Sequence, residues 1–216
     1  LYINWDLWAV LAMVISFYYL KVEKFDLAGF FLGLSIAIKF FPIFFIPALI
    51  LFFRNRKEMK SKEQVKVNGG VEFFSYLTLT LIALNLTTAI KYFEGWSRFF
   101  TFNQERGIDL GSLWYSFSLL GINLPKGLSL NLVIAAALLL LILSNFRSLL
   151  TLLSRRDSEL ALRDLAVFSF LSLALLFSLN KVYSPQYVLW LLPLAVIAIH
   201  EVMSQESEES SIRFHF

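Results

Sequence analysis

The side chains most able to do chemistry stand together in Asn180-Lys181-Val182-Tyr183-Ser184-Pro185-Gln186-Tyr187, directly before the apolar run Val188-Leu189-Trp190-Leu191-Leu192-Pro193. Hydrogen-bonding groups at the mouth of an apolar helix are costly unless they line a cavity or bind something. Pro185 suits the first turn of that helix, where its missing N–H is not needed. Lys181 could meet a phosphate, while Tyr183 and Gln186, with Ser184 and Tyr187 beside them, could bond a sugar or a diphosphate. The plainer account is an interfacial turn whose tyrosines belong to an aromatic belt.

Two charges stand apart from this cluster. Lys39 is the one charge inside the long apolar segment 27–53. A lysine in lipid costs about 2.5–3.5 kcal/mol at the helix centre, so it needs an anionic partner or water. A phosphate would serve, and so would Asp6; the alternative is a side chain that snorkels to the surface. Asp6 opens an apolar helix beside Trp5 and Trp8. An acid there suits the helix N-terminus, and it is also a candidate catalytic base or ligand for an acceptor hydroxyl.

A third group lies in the stretch 91–127. Trp96, Phe99, Phe100 and Phe102 recur at near-helical spacing with Arg98 among them, which predicts a short interfacial amphipathic helix. Asn103, Gln104, Glu105, Arg106 and Asp109 follow, then Trp114, Tyr115 and Phe117. Aromatic rings with Asn, Gln, Asp and Arg suit the apolar faces and hydroxyls of a sugar, and Arg98 and Arg106 could hold a phosphate bidentately. Alternatively the stretch is an amphipathic cap that seals a helix bundle.

The elements that must position these residues are apolar helices. The chain is 58% hydrophobic, with a mean hydropathy of +0.69. Soluble domains are about 45–50% apolar, and here the excess falls in long runs. The expected fold is all-α: a polytopic transmembrane bundle of about five full spans plus one broken, re-entrant hairpin. The spans are expected at 5–20, 71–90, 128–146, 165–179 and 187–203, with the hairpin at 27–53. Residues 27–38 would extend about 18 Å as a helix, short of a hydrocarbon core of about 30 Å. The break Lys39-Phe40-Phe41-Pro42 is where the chain could turn back; a single kinked, tilted helix is the alternative.

Basic residues orient the spans. The connector 54–70 holds Arg54, Arg56, Lys57, Lys60, Lys62 and Lys66, and 147–163 holds Arg147, Arg155, Arg156 and Arg163. Both are expected inside, which puts 91–127 and 180–186 outside. Residues 1–203 read as one membrane domain and 204–216 as a disordered acidic cytoplasmic tail. The chain begins at Leu1 without a signal-peptide pattern, so it is expected to be part of a longer protein.

Several function classes are disfavoured. There is no cysteine, so disulfides, zinc–thiolate sites and iron–sulfur clusters are excluded. The two histidines, His200 and His215, lie near the C-terminus and make no metal site. No phosphate-binding, dinucleotide-binding or nucleophile-elbow motif occurs. The net charge of +3 comes from basic residues between apolar runs, so nucleic acid is not an expected partner.

Three elements in order resemble a known group: Asn4-Trp5-Asp6 entering a helix; Ala28-Gly29-Phe30-Phe31-Leu32-Gly33-Leu34, continuing to Lys39-Phe40-Phe41-Pro42; and Ser184-Pro185-Gln186-Tyr187 with Trp190 and Pro193. The chain resembles the C-terminal half of GT-C-type integral membrane glycosyltransferases, in the polyprenol-phosphate-mannose-dependent branch, glycosyltransferase family 87. The resemblance implies an inverting transfer of a sugar, with mannose as the family-level expectation, from a polyprenyl phosphate to a glycan or glycolipid acceptor. The reaction would take place on the extracytoplasmic face of a multi-pass cell-membrane protein, without metal or other cofactor. It also implies that the main catalytic base, an aspartate of the first outer loop, lies upstream of Leu1, leaving Asp6 as the second choice. Lys39 and the 180–187 group match motif positions, whereas Arg98, Gln104 and Arg106 rest on chemistry alone. The competing readings are a transporter or lipid flippase, which needs a polar path across the whole membrane, and a non-catalytic assembly protein.

Overall fold

The computed structural model describes residues 5–60, 69–124, 131–139 and 158–213. Among them every regular element is helical: α1 (Asp6–Lys21), α2 (Phe25–Ile38), a 3-10 turn (Phe41–Phe45), α3 (Ile46–Lys60), α4 (Gly69–Lys91), α5 (Phe93–Glu105), α6 (Leu113–Leu119), α7 (131–139), α8 (Ser158–Leu179), a second 3-10 turn (Pro185–Tyr187) and α9 (Val188–Arg213). The apolar run at 128–146 is described only over α7, and the connector 147–163 only from 158. α9 continues as helix through the acidic residues from Glu201 to Arg213.

Among the described residues two helices are long and apolar enough to cross a membrane, Gly69–Lys91 and Leu162–Leu179; Phe25–Ile38, Phe41–Arg54 and Pro185–His200 are apolar but shorter. α4 leaves Val71, Leu79, Leu86 and Ile90 exposed. An apolar exterior of that extent suits a lipid-facing helix, because water would penalise it.

The segment 27–53 is broken and folds back. Pro42 lacks an N–H, and its ring would strike the carbonyl of Ile38 in a continued helix; α2 ends at Ile38, and Lys39 is extended, with φ −145° and ψ 128°. From there α3 returns along α2, because the Phe53 ring lies edge-on to Phe25 at 5.4 Å, at the start of α2. The single-helix alternative is thereby corrected: Pro42 and the extended Lys39 turn the chain.

Small polar residues tie α1 to α2. The Ser16 hydroxyl donates to the Ala28 carbonyl at 2.8 Å, and Ser35 donates to Ala9 at 2.7 Å. The two bonds make the helices antiparallel and bring the start of α1 beside the end of α2. α2 then packs parallel to α4 through Gly29 and Gly33. A Cβ at Gly29 would strike the Phe73 carbonyl, and one at Gly33 would come within 2.8 Å of the Thr80 Cβ. Small residues allow such close backbone approach. Gly29→Leu is therefore expected to force α2 off α4 and to destabilise by at least about 1–3 kcal/mol. Thermal unfolding in detergent measures it, and a melting temperature equal to wild type would refute the packing.

α8, α9 and the first 3-10 turn complete the core, in which Phe45, Leu165, Leu173, Trp190 and Leu194 are fully buried. The bundle has two chemically different ends. Phe25, Phe53, Phe73 and Gly69 meet at one, where the basic connector 54–70 attaches. The other gathers the starts of α1 and α9 and the ends of α2 and α8.

Candidate functional site

At this second end the antiparallel pairing of α1 and α2 sets Asp6 against Lys39. The Lys39 Nζ lies 3.1 Å from Asp6 Oδ1. The second carboxylate oxygen, Oδ2, accepts a hydrogen bond from Trp190 Nε1–H at 3.2 Å. Asp6 is 1% exposed, while the Lys39 side chain keeps 33% of its surface open. Of the two partners the sequence allowed Lys39, it has Asp6. Below them the Phe41 ring meets Phe177, Tyr187 and Trp190 edge-on at 5.0, 5.5 and 5.7 Å, and Phe177 stacks on Tyr187 at 4.1 Å. This aromatic plug holds the first 3-10 turn, α8 and α9 in register.

The connector between α5 and α6 is laid across the one between α8 and α9. The Asp109 N–H donates to the Lys181 carbonyl at 2.8 Å, and Trp114 Nε1–H donates to the Leu179 carbonyl at 2.7 Å. Lys181 Nζ donates to the Gln104 carbonyl at 3.2 Å. The Ser112 hydroxyl caps α6 by accepting from the Tyr115 N–H at 3.2 Å. The Arg106 guanidinium pairs with Asp109 at 3.5 Å. Within 180–187 the Tyr187 hydroxyl donates to the Val182 carbonyl at 3.4 Å and accepts from Asn180 Nδ2 at 3.5 Å. Burial first, and then the neighbouring Arg106 cation, push the Lys181 ammonium below the usual lysine range.

These segments enclose a cavity of about 670 Å³, within the size range of small-molecule sites. Lys39, Gln104, Arg106, Lys181, Tyr183, Ser184, Gln186 and Tyr187, eight of the ten residues singled out from the sequence, line it. The other two do not. Asp6 stands behind Lys39, and Arg98 pairs at 3.6 Å with Glu105 on the outer surface of α5, both largely exposed. Asn103, Asp109 and Asn180, which belong to the polar stretches read above, also face the cavity. Phe40, Phe41 and Asn131 were not foreseen there. Asn131 carried a signal of its own, an amide near the head of an apolar run. The phenylalanines carried none, being two among 23.

A second, mostly apolar groove of about 560 Å³ lies between α2, α4 and α5. Phe40, Phe99 and Phe100 form its boundary with the first cavity and line both. The predicted amphipathic helix is thus present as α5, tied to α4 by Trp96 Nε1–H donating to Asn85 Oδ1 at 3.2 Å. The joint site offers three cations, several hydroxyl and amide groups, and aromatic rings beside an apolar channel. That set can hold a phosphate, orient a sugar and accommodate an apolar chain. Among the described residues no group of three or more His, Asp or Glu could hold a metal ion.

The family described as mannosyltransferase (PIG-M) matches residues 4–210. No curated protein and no solved structure matches the chain.

Proposed function

Because this chain belongs to the mannosyltransferase (PIG-M) family, a GT-C-like family of membrane mannosyltransferases, we propose that it transfers mannose from a polyprenyl-phosphate donor to a glycan or glycolipid acceptor. The reaction runs on the extracytoplasmic face of a multi-pass membrane bundle, with inversion and without a metal. The family 87-like branch is the one this reading favours. The observation that carries it is the convergence of Lys39, Arg106 and Lys181, from three separate segments, on one cavity that adjoins an apolar groove. A phosphate bearing a lipid chain has that two-part chemistry.

In this mechanism a carboxylate base takes the proton of the acceptor hydroxyl. The acceptor oxygen bonds the anomeric carbon as the carbon–oxygen bond to phosphate breaks. The electron pair leaves on the polyprenyl phosphate, whose charge Lys39, Arg106 and Lys181 stabilise. Tyr183, Ser184, Gln186 and Tyr187 orient the sugar, Gln104 supports the rim, and the isoprenoid chain follows the groove past Phe40. Arg98 meets the phosphate only if its pair with Glu105 opens.

The test is transfer by the purified full-length protein from polyprenyl-phosphate mannose and from a nucleoside-diphosphate mannose. Product is expected from the first donor alone. Product from the nucleotide donor alone would overturn the reading.

A pH profile adds a second check. Lys181 has a lowered affinity for its proton, so as pH rises it loses its charge before an ordinary lysine would. Transfer is expected to fall along an alkaline limb below the usual lysine range. Lys181→Arg, which keeps its charge, should push that limb upward. An unmoved limb in the arginine variant would refute the role of Lys181.

A further inference from the structure

We propose that Asp6 is a positioning residue for Lys39 and not the base that deprotonates the acceptor, an inference that rests on the reading of the site as a phosphate-bearing donor pocket. The carboxylate is 1% exposed, and both its oxygens are engaged, one by Lys39 at 3.1 Å and the other by Trp190 Nε1–H at 3.2 Å. It is absent from the cavity wall, which Lys39 helps to form. A general base must come within about 2.6–3.2 Å of the proton it takes, and here the lysine stands between the carboxylate and the cavity.

The pair has a clear physical use. A lysine is a point charge on a flexible four-carbon stem, and a free one would sample many positions. Asp6 takes one of the three ammonium N–H donors and leaves two for a phosphate. Trp190, fully buried at the start of α9, fixes the carboxylate in turn. The backbone supports the same aim, since the extended conformation of Lys39 carries its side chain off the end of α2 toward α1. The other charged groups at the cavity are already occupied in ways that leave Lys39 distinct: Arg106 pairs with Asp109, and Lys181 is bonded to the Gln104 carbonyl.

The experiment is a double-mutant cycle on Asp6 and Lys39 in the full-length protein, read by two independent measurements. In mannose transfer from polyprenyl-phosphate mannose, Asp6→Asn is expected to raise the donor KM and lower kcat/KM about tenfold to a hundredfold, a loss no larger than that of Lys39→Met. The double variant should be no worse than Lys39→Met alone, because Asp6 acts only through the lysine. Asp6→Glu, which keeps the charge, should recover part of the loss. A base would behave otherwise: the double variant would fall below Lys39→Met by the full factor of Asp6→Asn. A residue needed only for folding would lower the yield of protein and leave kcat and KM per folded molecule unchanged. Either result overturns the proposal.

The second measurement is thermal stabilisation by farnesyl phosphate, which needs no turnover. The wild type should be stabilised, and Asp6→Asn and Lys39→Met should each lose that stabilisation without adding to one another. Absent transfer in the wild type, with this pattern intact, would defeat the mannosyltransferase reading and leave the positioning role standing. Full stabilisation of Asp6→Asn by farnesyl phosphate, or none in the wild type, would overturn the positioning role. Should Asp6→Asn alone fail to fold, the double variant removes both charges of the pair, leaving no uncompensated buried charge, and its comparison with Lys39→Met decides the question.

Discussion

Lys39→Met is expected to reduce mannose transfer by about a hundredfold or more, the loss that follows removal of one preorganised electrostatic group from a reacting centre. The same substitution should lower stability. Deleting one member of a fully buried ion pair costs about 3–5 kcal/mol, because the remaining charge is left unpaired. Asp6 is buried that deeply, but the Lys39 side chain is 33% exposed, so the cost should lie below that range. The two effects separate in the Asp6→Asn, Lys39→Met double variant, which should regain much of the stability and none of the activity. Rates per folded molecule, with melting temperatures measured on the same preparations, provide the check. A Lys39→Met enzyme that turns over like wild type would remove Lys39 from the mechanism.

The largest stability effect is expected at Trp190. This side chain is fully buried, meets the Phe41 ring edge-on at 5.7 Å and donates to Asp6 at 3.2 Å. Trp190→Ala removes a large aromatic volume and should cost about 3–5 kcal/mol. Trp190→Phe keeps most of the packing and deletes the N–H, so its cost should be nearer 1–3 kcal/mol, roughly that of a buried hydrogen bond to a charged group. The phenylalanine variant should also weaken transfer by freeing the carboxylate that holds Lys39. Thermal unfolding in detergent ranks the three proteins. The idea would be sunk by an alanine variant that melts with wild type, since the plug of Phe41, Phe177, Tyr187 and Trp190 would then not be holding the first 3-10 turn, α8 and α9.

Much of the candidate site was legible before any coordinates. The cluster 180–187 advertised itself because polar groups at a helix mouth are expensive, and Lys39 because a lone charge in an apolar segment needs a partner. Pro42 marked the break for a local reason, the clash of its ring with the preceding turn. The aromatic spacing at 96–102 called for α5, since helical periodicity is a property of neighbouring residues. Arg98 shows where such reasoning stops. Its residue type suited a phosphate, but its position on α5 turns it to Glu105 and the outer surface. Phe40 and Phe41 show the converse, since residue type alone does not distinguish a cavity wall from a core side chain.

The sequence by itself therefore determined the helical class, the break at Lys39 to Pro42, and which residue types were available to hold a phosphate and a sugar. These follow from hydrophobicity, proline sterics and the cost of burying charge, all of which act locally along the chain. Only the tertiary structure decided that Asp6 stands behind Lys39 rather than in the cavity, and that Trp190, 184 residues away, holds its other oxygen. It alone also laid the end of α5, with Gln104, and the following connector, with Arg106 and Asp109, against Lys181. Those choices depend on how α1, α2, α8 and α9 pack together, and contacts between residues far apart in sequence arise from shape and register that no local pattern encodes.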